Sequence, residues 1–328
     1  MTAPPGVFVV SLDFELHWGV CDRLTVDEYR ENLLGARRAI PAMLALFEQF
    51  GIHATWATVG FLFYDRREAL LSAVPAELPT YAEPDLSCYN LLPALGSDEA
   101  ADPYHFGRAL LEQIRGTPHQ EIATHTFSHY YCLERGQTVD QFRADLRAAC
   151  DAAQTFGVEL TSIVFPRNQV APSHLKACAE FGIRAYRGNQ RSWLYRPAGR
   201  DSRGLLRRAI RLVDTYVNLT GHHAVSRSEV VEQCFVNIPA SRFLRPYHRR
   251  LKRLEPLKLR RITSAMTQAA QRGLIYHLWW HPHNFGRDVA ENIRLLTAIL
   301  EHFSRLSASR GMRTLTMAEI ASELRLPG

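Results

Sequence analysis

The order of strands and helices that the sequence predicts is the feature that most limits its fold. Residues 6–14 (GVFVVSLDF) form a short apolar run rich in β-branched residues, which predicts a buried strand. An amphipathic helix over residues 27–50 and a second strand at 53–60 follow, and this series is typical of a parallel βαβ unit. The same alternation returns over 120–188 and 273–316. In a chain of 328 residues it favours one (β/α) barrel over two separate domains.

Two stretches depart from this alternation, and both are expected to be insertions on a single domain that spans residues 1–328. The first, at about 72–118, is rich in Pro, Tyr and Asp and has no long period. The second covers about 195–262 and contains most of the excess positive charge. Residues 242–261 include nine Arg or Lys and one acid, whereas the rest of the chain has a net charge of −2. This basic segment predicts either contact with an anionic membrane surface or a solvated, internally paired face. No recognition motif accompanies it, so no nucleic acid is expected as a partner.

Several classes of protein are excluded by pattern. No run of 18 apolar residues is present, so no transmembrane helix is expected. The N-terminus lacks the basic start of a signal peptide, which predicts a cytoplasmic protein, peripheral at the inner face of the membrane if the basic segment binds there. The six cysteines are scattered without a C-x-x-C pair, so buried free thiols are favoured over a disulfide framework or a cysteine zinc site.

Polar residues follow four of the predicted strands at the point where each strand ends. In a parallel barrel the carboxyl ends of the strands meet at one mouth, where functional groups gather. We therefore expect four sets of side chains to converge there: Asp13 with Glu15, His125 with His129, Arg167, and His281 with His283.

The spacing of His125 and His129 suggests a metal. Two imidazoles four residues apart meet on one face if the loop coils into a helical turn. A carboxylate from the first strand would complete a site with two histidines and one acid, leaving a coordination position for water. Alone, the H-x-x-x-H pattern is weak. The acids of the first strand and the H-P-H of a late strand strengthen it.

The motifs SLDFE, EIATHTFSH, FPRN and HLWWHPHN resemble, in order and spacing, those of the polysaccharide deacetylase family. This family is also called the NodB-homology or carbohydrate esterase 4 family, and the resemblance covers most of the chain outside the two insertions. It implies a distorted (β/α)7 barrel of the NodB type and one divalent metal, with zinc as the expected ion.

The resemblance also implies a role for each matched residue. The implied metal ligands are Glu15, His125 and His129, and the implied catalytic residues are Asp13, Arg167 and His281. Asp13 would be the general base, Arg167 the group that holds it, and His281 the acid that protonates the leaving amine.

The chain departs from the family pattern in two places. Its acids are spaced as Asp13-Phe14-Glu15, which puts a Glu at the ligand position, and RGNQRSW supplies Trp193 without the acid that would orient His281. Trp18, Trp193 and His283 are candidate substrate contacts, although a core position is the common alternative for an isolated tryptophan. His277 shares a strand face with His281, and we expect it to be a core residue.

These features together predict a metal-dependent carbohydrate N-deacetylase. It would remove an N-acyl group, acetyl being favoured, from an amino sugar of a surface-glycan precursor. The same fold acting on a non-sugar C–N bond, such as a cyclic amide or a formamide, is the first alternative, and a non-catalytic glycan-binding barrel is the second. An iron oxygenase is disfavoured because its sites usually have the pattern H-x-[DE]…H on a β-sandwich.

Overall fold

The structure is a computed structural model that describes residues 4–195, 205–232 and 234–324. Its strands are β1 (Val7–Phe14), β2 (Ala54–Thr58), β3 (Gln120–Thr124), β4 (Ser162–Ile163), β5 (Ala185–Tyr186), β6 (Val231–Glu232), β7 (Phe235–Asn237), β8 (Arg242–Phe243), β9 (Ile275–Trp280) and β10 (Arg313–Thr314). Its helices are α1 (Val26–Phe50), α2 (Arg67–Ser72), α3 (Arg108–Gly116), α4 (Val139–Thr155), α5 (Pro172–Glu180), α6 (Leu205–Asp214), α7 (Glu255–Arg272), α8 (Val289–Arg310) and α9 (Met317–Glu323). Within these ranges no helix is both long and apolar enough to cross a membrane.

Parallel pairing of neighbouring strands builds a curled sheet in the order β5, β4, β3, β2, β1 and β9. The two edges are joined by one bent segment, in which β7 pairs with β5 and β8 pairs with β9. Between these two pairings the amide of Ala240 donates to Gly188 O (2.9 Å) and the amide of Ser241 donates to His277 O (2.8 Å). The segment therefore acts as the sixth of seven barrel strands, and the expected distorted (β/α)7 barrel is confirmed.

The first strand shows how the sequence positions the site. All eight residues of β1 are buried, and successive side chains point to opposite faces of the sheet. Phe8, Val10 and Leu12 join the large apolar layer under the helices, whereas Val7 and Val9 belong to a separate cluster with residues of the other barrel strands. The same alternation carries Asp13 into the barrel at the carboxyl end of the strand, and Glu15 follows it there.

Helix α1 packs along this strand and supports the mouth of the barrel. It begins with a capping box between Thr25 and Glu28 and ends at Gly51 in the left-handed conformation. At Gly35 the helix comes so close to the turn at residues 282–288 that a Cβ would overlap the backbone of Gly286. This contact holds the turn that follows β9 against α1.

Both expected insertions contain parts of the β/α repeat. The range 72–118 ends in α3, which is the crossover helix between β2 and β3. The range 195–262, of which 196–204 and 233 lie outside the described residues, includes the sixth barrel strand and the start of α7, so it is not wholly an insertion. The sequence hides that strand because Pro239 interrupts it and its two paired parts have three and two residues.

Candidate active site

Glu15 lies one residue beyond the end of β1, and its buried carboxylate is the centre of the site. Its Oε2 is 3.2 Å from Nε2 of His125 and 3.1 Å from Nε2 of His129. Its Oε1 is 3.4 Å from Nε2 of His281 and 3.8 Å from Nε2 of His283. The structure thus brings four histidines from two distant loops to one acid, as the convergence of strand ends predicted.

Hydrogen bonds on the far side of two of these rings decide which nitrogen faces the acid. Nδ1 of His125 lies 2.7 Å from Val164 O, and Nδ1 of His129 lies 3.1 Å from the hydroxyl of Tyr131. A proton on Nδ1 of His125 leaves the lone pair of its Nε2 free, which is the usual second-shell arrangement of a metal-bound histidine. Burial also lowers the pKa of His129, which favours the neutral imidazole that a metal requires.

The loop that carries His125 and His129 is held by an acid from α4. Asp145 is fully buried; its Oδ1 accepts from the amide of Phe127 (2.7 Å) and its Oδ2 from the amide of Ser128 (3.1 Å) and the Ser128 hydroxyl. These bonds compensate a strained backbone, because Thr126 and His129 have φ values of 64° and 60°. The two histidines therefore do not lie on a regular helical turn, although their Nε2 atoms still converge.

The residues present fit a divalent metal. One oxygen of Glu15 and one nitrogen each of His125 and His129 lie within 4.8 Å of one another, and all three side chains are buried. One carboxylate and two imidazoles are a common catalytic zinc set, which leaves a fourth position open. Burial alone would raise the pKa of Glu15, but the surrounding histidines hold it well below its usual range, so the acid is ionised.

Asp13 lies beside this cluster and is held by an arginine. Arg187 Nη1 donates to Oδ1 (2.6 Å) and Nη2 to Oδ2 (2.7 Å), while Nε2 of His281 is 3.6 Å from Oδ2. Arg187 is itself buried, and it also donates to Ser11 and Asn168. Burial raises the pKa of Asp13, but Arg187 and the neighbouring histidines outweigh it, so the pKa lies below its ordinary value.

The expectation that Arg167 holds Asp13 is wrong. The backbone of Arg167 is in the left-handed conformation (φ 55°), and its guanidinium pairs with Asp22 and lies 4.0 Å from the ring centroid of Tyr131. Arg187, at the end of β5, occupies the position expected of Arg167. The residue after Arg167 does contribute, since Asn168 Oδ1 accepts a hydrogen bond from Arg187 (3.0 Å).

The histidine that lies between the two acids has a partner that the sequence did not reveal. Nδ1 of His281 is 3.2 Å from Nδ2 of Asn284, whose Oδ1 accepts a hydrogen bond from the hydroxyl of Tyr29 (2.9 Å). The oxygen and nitrogen of an amide are assigned from such networks and can exchange. Asn284 can therefore accept a hydrogen bond from Nδ1–H or donate one to Nδ1.

The remaining sequence candidates have different positions. Trp18 is fully buried, and its Nε1 donates to His105 O (2.8 Å), so the expectation that it contacts substrate is wrong. Trp193 is 63% exposed, and its contact with a substrate stays a prediction. His277 is fully buried and hydrogen-bonded to Ser11 (2.8 Å), as expected of a core residue, and burial lowers its pKa to about 3.

Two residues that complete the site were missed, although the rule that located the others applies to them. Arg187 directly follows β5, and Asn284 lies in the turn after β9, so both are at carboxyl ends of barrel strands. The motif FPRN contains Arg167, which favoured that residue over Arg187 in a sequence-based assignment. The resemblance implies an acid as the partner of His281, and Asn284 has an amide in that role.

No family model matches the sequence, and no curated protein matches it. Among solved structures, a candidate polysaccharide deacetylase from Mycobacterium smegmatis superposes with a TM-score of 0.55 at 14% identity, covering 99% of this chain and 94% of that one. A 4-α-glucanotransferase from Thermococcus litoralis has a TM-score of 0.54 at 12% identity, but this chain spans only 40% of its length. A GH57-type branching enzyme from Pyrococcus horikoshii has a TM-score of 0.53 at 10% identity, with 98% of this chain and 70% of that one covered. The chain therefore shares the fold of polysaccharide deacetylase structures, the family that its motifs resemble.

Proposed function

We propose that the protein is a metal-dependent hydrolase that removes an N-acyl group, acetyl in the first instance, from an amino sugar of a surface-glycan precursor. The proposal rests on one observation: a set of metal ligands lies beside an acid that could act as a base. Glu15, His125 and His129 present a metal-ligand set, and Asp13 lies beside it between Arg187 and His281. Because the same barrel also occurs in enzymes that act on α-glucans, this donor set supports hydrolysis of an amide more strongly than the fold does.

A divalent metal held by the three ligands supplies Lewis-acid polarisation of an acyl carbonyl and lowers the pKa of a bound water to about 7. Asp13, kept ionised by Arg187, accepts a proton from the attacking water. His281 stands on the other side of the same acids and donates a proton from Nε2 to the departing amine nitrogen. Water and the amide are thereby converted into a carboxylic acid and an amine, which leave as carboxylate and ammonium. Exchange with solvent removes the proton gained by Asp13 and restores the one lost by His281.

Aromatic groups beside these acids suit a sugar ring. Trp279 lies under the guanidinium of Arg187 at 4.0 Å, and its ring is 5.5 Å from that of His281 and 4.8 Å from that of Phe243. Trp279 is partly exposed, whereas Trp18 is not. We assign it the stacking role that was expected of Trp18 and Trp193. A planar cyclic amide could stack on the same ring, and the product formed separates the two substrates.

We further propose that the protein acts at an anionic membrane surface, where a lipid-linked precursor would be found. The basic segment presents five exposed basic side chains: Arg249, Arg250, Lys252, Arg253 and Arg260. Next to it, α6 and the following loop expose apolar side chains, led by Leu206, which is 74% exposed. Exposed apolar and basic side chains in combination are typical of interfacial segments.

Metal content and product release test the proposal. The protein loaded with zinc should release acetate from N-acetylated amino-sugar glycans, and parallel assays for formate release from a formamide and for ring opening of a cyclic amide address the two non-sugar alternatives. Asp13→Asn should retain metal and lose turnover, whereas Glu15→Gln should lose metal. Formate release or ring opening, without acetate release, would replace the substrate assignment. A metal-loaded protein that binds glycans without turnover would show a non-catalytic barrel.

A further inference from the structure

We propose that Glu15 bridges two divalent cations, and that the second cation, held by Glu15 Oε1, His281 and His283, inhibits the enzyme. The inference rests on the proposed function for the first site and adds a regulatory site beside it. In that first site Glu15 Oε2 faces His125 and His129. The two oxygens of one carboxylate thus face two different pairs of imidazoles, which is the arrangement of a bridging ligand.

The spacing of the second set matches that of metal ligands. Nε2 of His281 and Nε2 of His283 lie 3.4 and 3.8 Å from Glu15 Oε1, and one donor atom from each of the three residues lies within 4.8 Å of the other two. Ligands bound at about 2.1 Å in a tetrahedral site are roughly 3.4 Å apart. His125 and His129 belong to the other group of three, which shares only Glu15 with this one.

His283 brings a second imidazole to this group of three, and its ring is buried and fixed in place. Its side chain is only 3% exposed, yet Nδ1 has no hydrogen-bond partner in the described part of the chain, and Nε2 has only the oxygen of Glu15 at 3.8 Å. A buried imidazole without hydrogen bonds is costly. The ring is nevertheless held in place, by an edge contact with Tyr29 (5.5 Å) and by a hydrogen bond from Asn32 Nδ2 to its backbone oxygen (3.0 Å). A cation bound at Nε2 would take the nitrogen that faces Glu15, and Nδ1 would carry the proton.

His281 can supply the third ligand without rearrangement of the backbone. Binding through Nε2 requires a proton on Nδ1, and that proton needs an acceptor. Asn284 lies 3.2 Å from Nδ1, and with its amide rotated it offers Oδ1 there while its NH₂ group donates to the hydroxyl of Tyr29. The same partner that orients His281 for proton transfer therefore also prepares it as a ligand.

Inhibition follows from the identity of the shared atom. Nε2 of His281 is the atom from which the proposed reaction protonates the leaving amine, and a bound cation occupies its lone pair. Two cations that share one carboxylate repel each other, so the second should bind more weakly than the first. Turnover should then rise up to one equivalent of metal per chain and fall as the second site fills.

Titration of the metal-free protein with Zn²⁺ alone, followed by calorimetry, tests the second site independently of any substrate. The wild-type chain should show one tight and one weaker binding event, and His283→Asn should show only the tight one. His174→Asn is the matched control, because His174 is a buried histidine of α5 that bonds Gln137 (3.0 Å). It should retain both events. If His283→Asn fails to fold, as judged by circular dichroism, His281→Asn removes a different ligand of the same site.

The outcomes separate this inference from the proposed function. A single binding event in the wild type, or two events in a folded His283→Asn protein, would overturn the second site and leave the first intact. Loss of the tight event in His283→Asn but not in His125→Ala would place the resident metal at His281 and His283, against both proposals. No binding at all would remove the metal-dependent function itself.

With Mn²⁺ as the probe, two cations on one carboxylate should give an exchange-coupled paramagnetic resonance signal, and two uncoupled signals would contradict the bridge.

Discussion

Glu15 depends on the glycine four residues after it. A Cβ built on Gly19 would overlap the carboxyl group of Glu15, whereas the backbone of Gly19 is in a conformation that other residues adopt. The glycine is thus required for space and not for its φ angle. A Glu at the ligand position has one methylene more than an Asp, and the absent side chain of residue 19 accommodates the end of that longer chain.

Gly19→Ala should therefore weaken metal binding while the fold remains. The added methyl displaces the carboxylate, which is the flexible end of a side chain. The substitution should therefore lower metal affinity and leave the packing of the core unchanged. Zinc affinity by calorimetry and thermal unfolding of the metal-free protein measure the two effects separately. Gly116→Ala, at an open position at the end of α3, is the control and should change neither. Unchanged zinc affinity in Gly19→Ala would mean that Glu15 is not a ligand in this position.

Arg187 should control the acid limb of the pH–rate profile. It holds the pKa of Asp13 below the ordinary value, so Asp13 is ionised and competent as a base above that depressed pKa. Replacing Arg187 with Gln removes the positive charge and raises the pKa, and the acid limb should move to higher pH by about 1–3 units. Arg167→Gln should leave the limb in place, because Arg167 pairs with Asp22. A shift in Arg167→Gln but not in Arg187→Gln would restore the motif-based assignment.

At the scale of elements, the loop that carries His125 and His129 depends on α4 as well as on β3, because Asp145 of α4 holds its backbone. Asp145→Asn keeps the shape of the side chain but turns one acceptor into a donor that faces the amide or hydroxyl of its partners. We expect metal affinity to fall by about 10- to 100-fold, as for other second-shell changes. Glu121→Gln is the control, since Glu121 is a partly buried acid that bonds Thr55 and the amide of Ala318 in α9. Equal losses in the two variants would indicate a general effect of replacing an acid with an amide.

The elements also show what sequence reasoning can reach. Strands of five to eight residues with a continuous apolar run, such as β1 and β9, were predicted, and with them the residues at their ends. The sixth barrel strand was missed, because its hydrogen bonds are shared between β5 and β9 on either side of Pro239. The local pattern of apolar and polar residues does not reveal such a bend. Arg187 was missed for a related reason: which of two nearby arginines reaches Asp13 depends on the left-handed backbone at residue 167, which an apolar/polar pattern does not encode.

At the scale of the whole molecule, the nine basic residues of the basic segment divide into three that are buried, five that are exposed, and Arg245, which is half-buried. Arg242, Lys258 and Arg261 are buried; Arg242 and Arg261 pair with Asp214 of α6, and Lys258 with Glu255. These three charges serve the internal network that the sequence left open as an alternative, and Arg242 and Arg261 fix the end of α6. Of the five exposed charges, Arg249 also pairs with Asp288 (3.2 Å), which leaves four for an external partner. Of the leucines in the segment, Leu244 is fully buried, whereas Leu257 is 42% exposed.

The exposed charges predict salt-dependent membrane binding. Each Lys or Arg near an anionic leaflet contributes about 1 kcal/mol, an effect that salt screens, so these four together should give several kcal/mol at low ionic strength. The protein should sediment with phosphatidylserine vesicles at low salt, detach at high salt, and ignore neutral vesicles. Changing Arg249, Arg250, Lys252 and Arg253 to Gln should abolish sedimentation and spare hydrolysis of a small soluble substrate. The same change at four arginines that are exposed elsewhere on the chain, Arg66, Arg135, Arg147 and Arg184, should leave both sedimentation and hydrolysis unchanged. Equal loss of binding in both quadruple variants would reduce the effect to net charge, and a wild-type protein that stays in the supernatant at low salt would leave the basic segment a structural feature only.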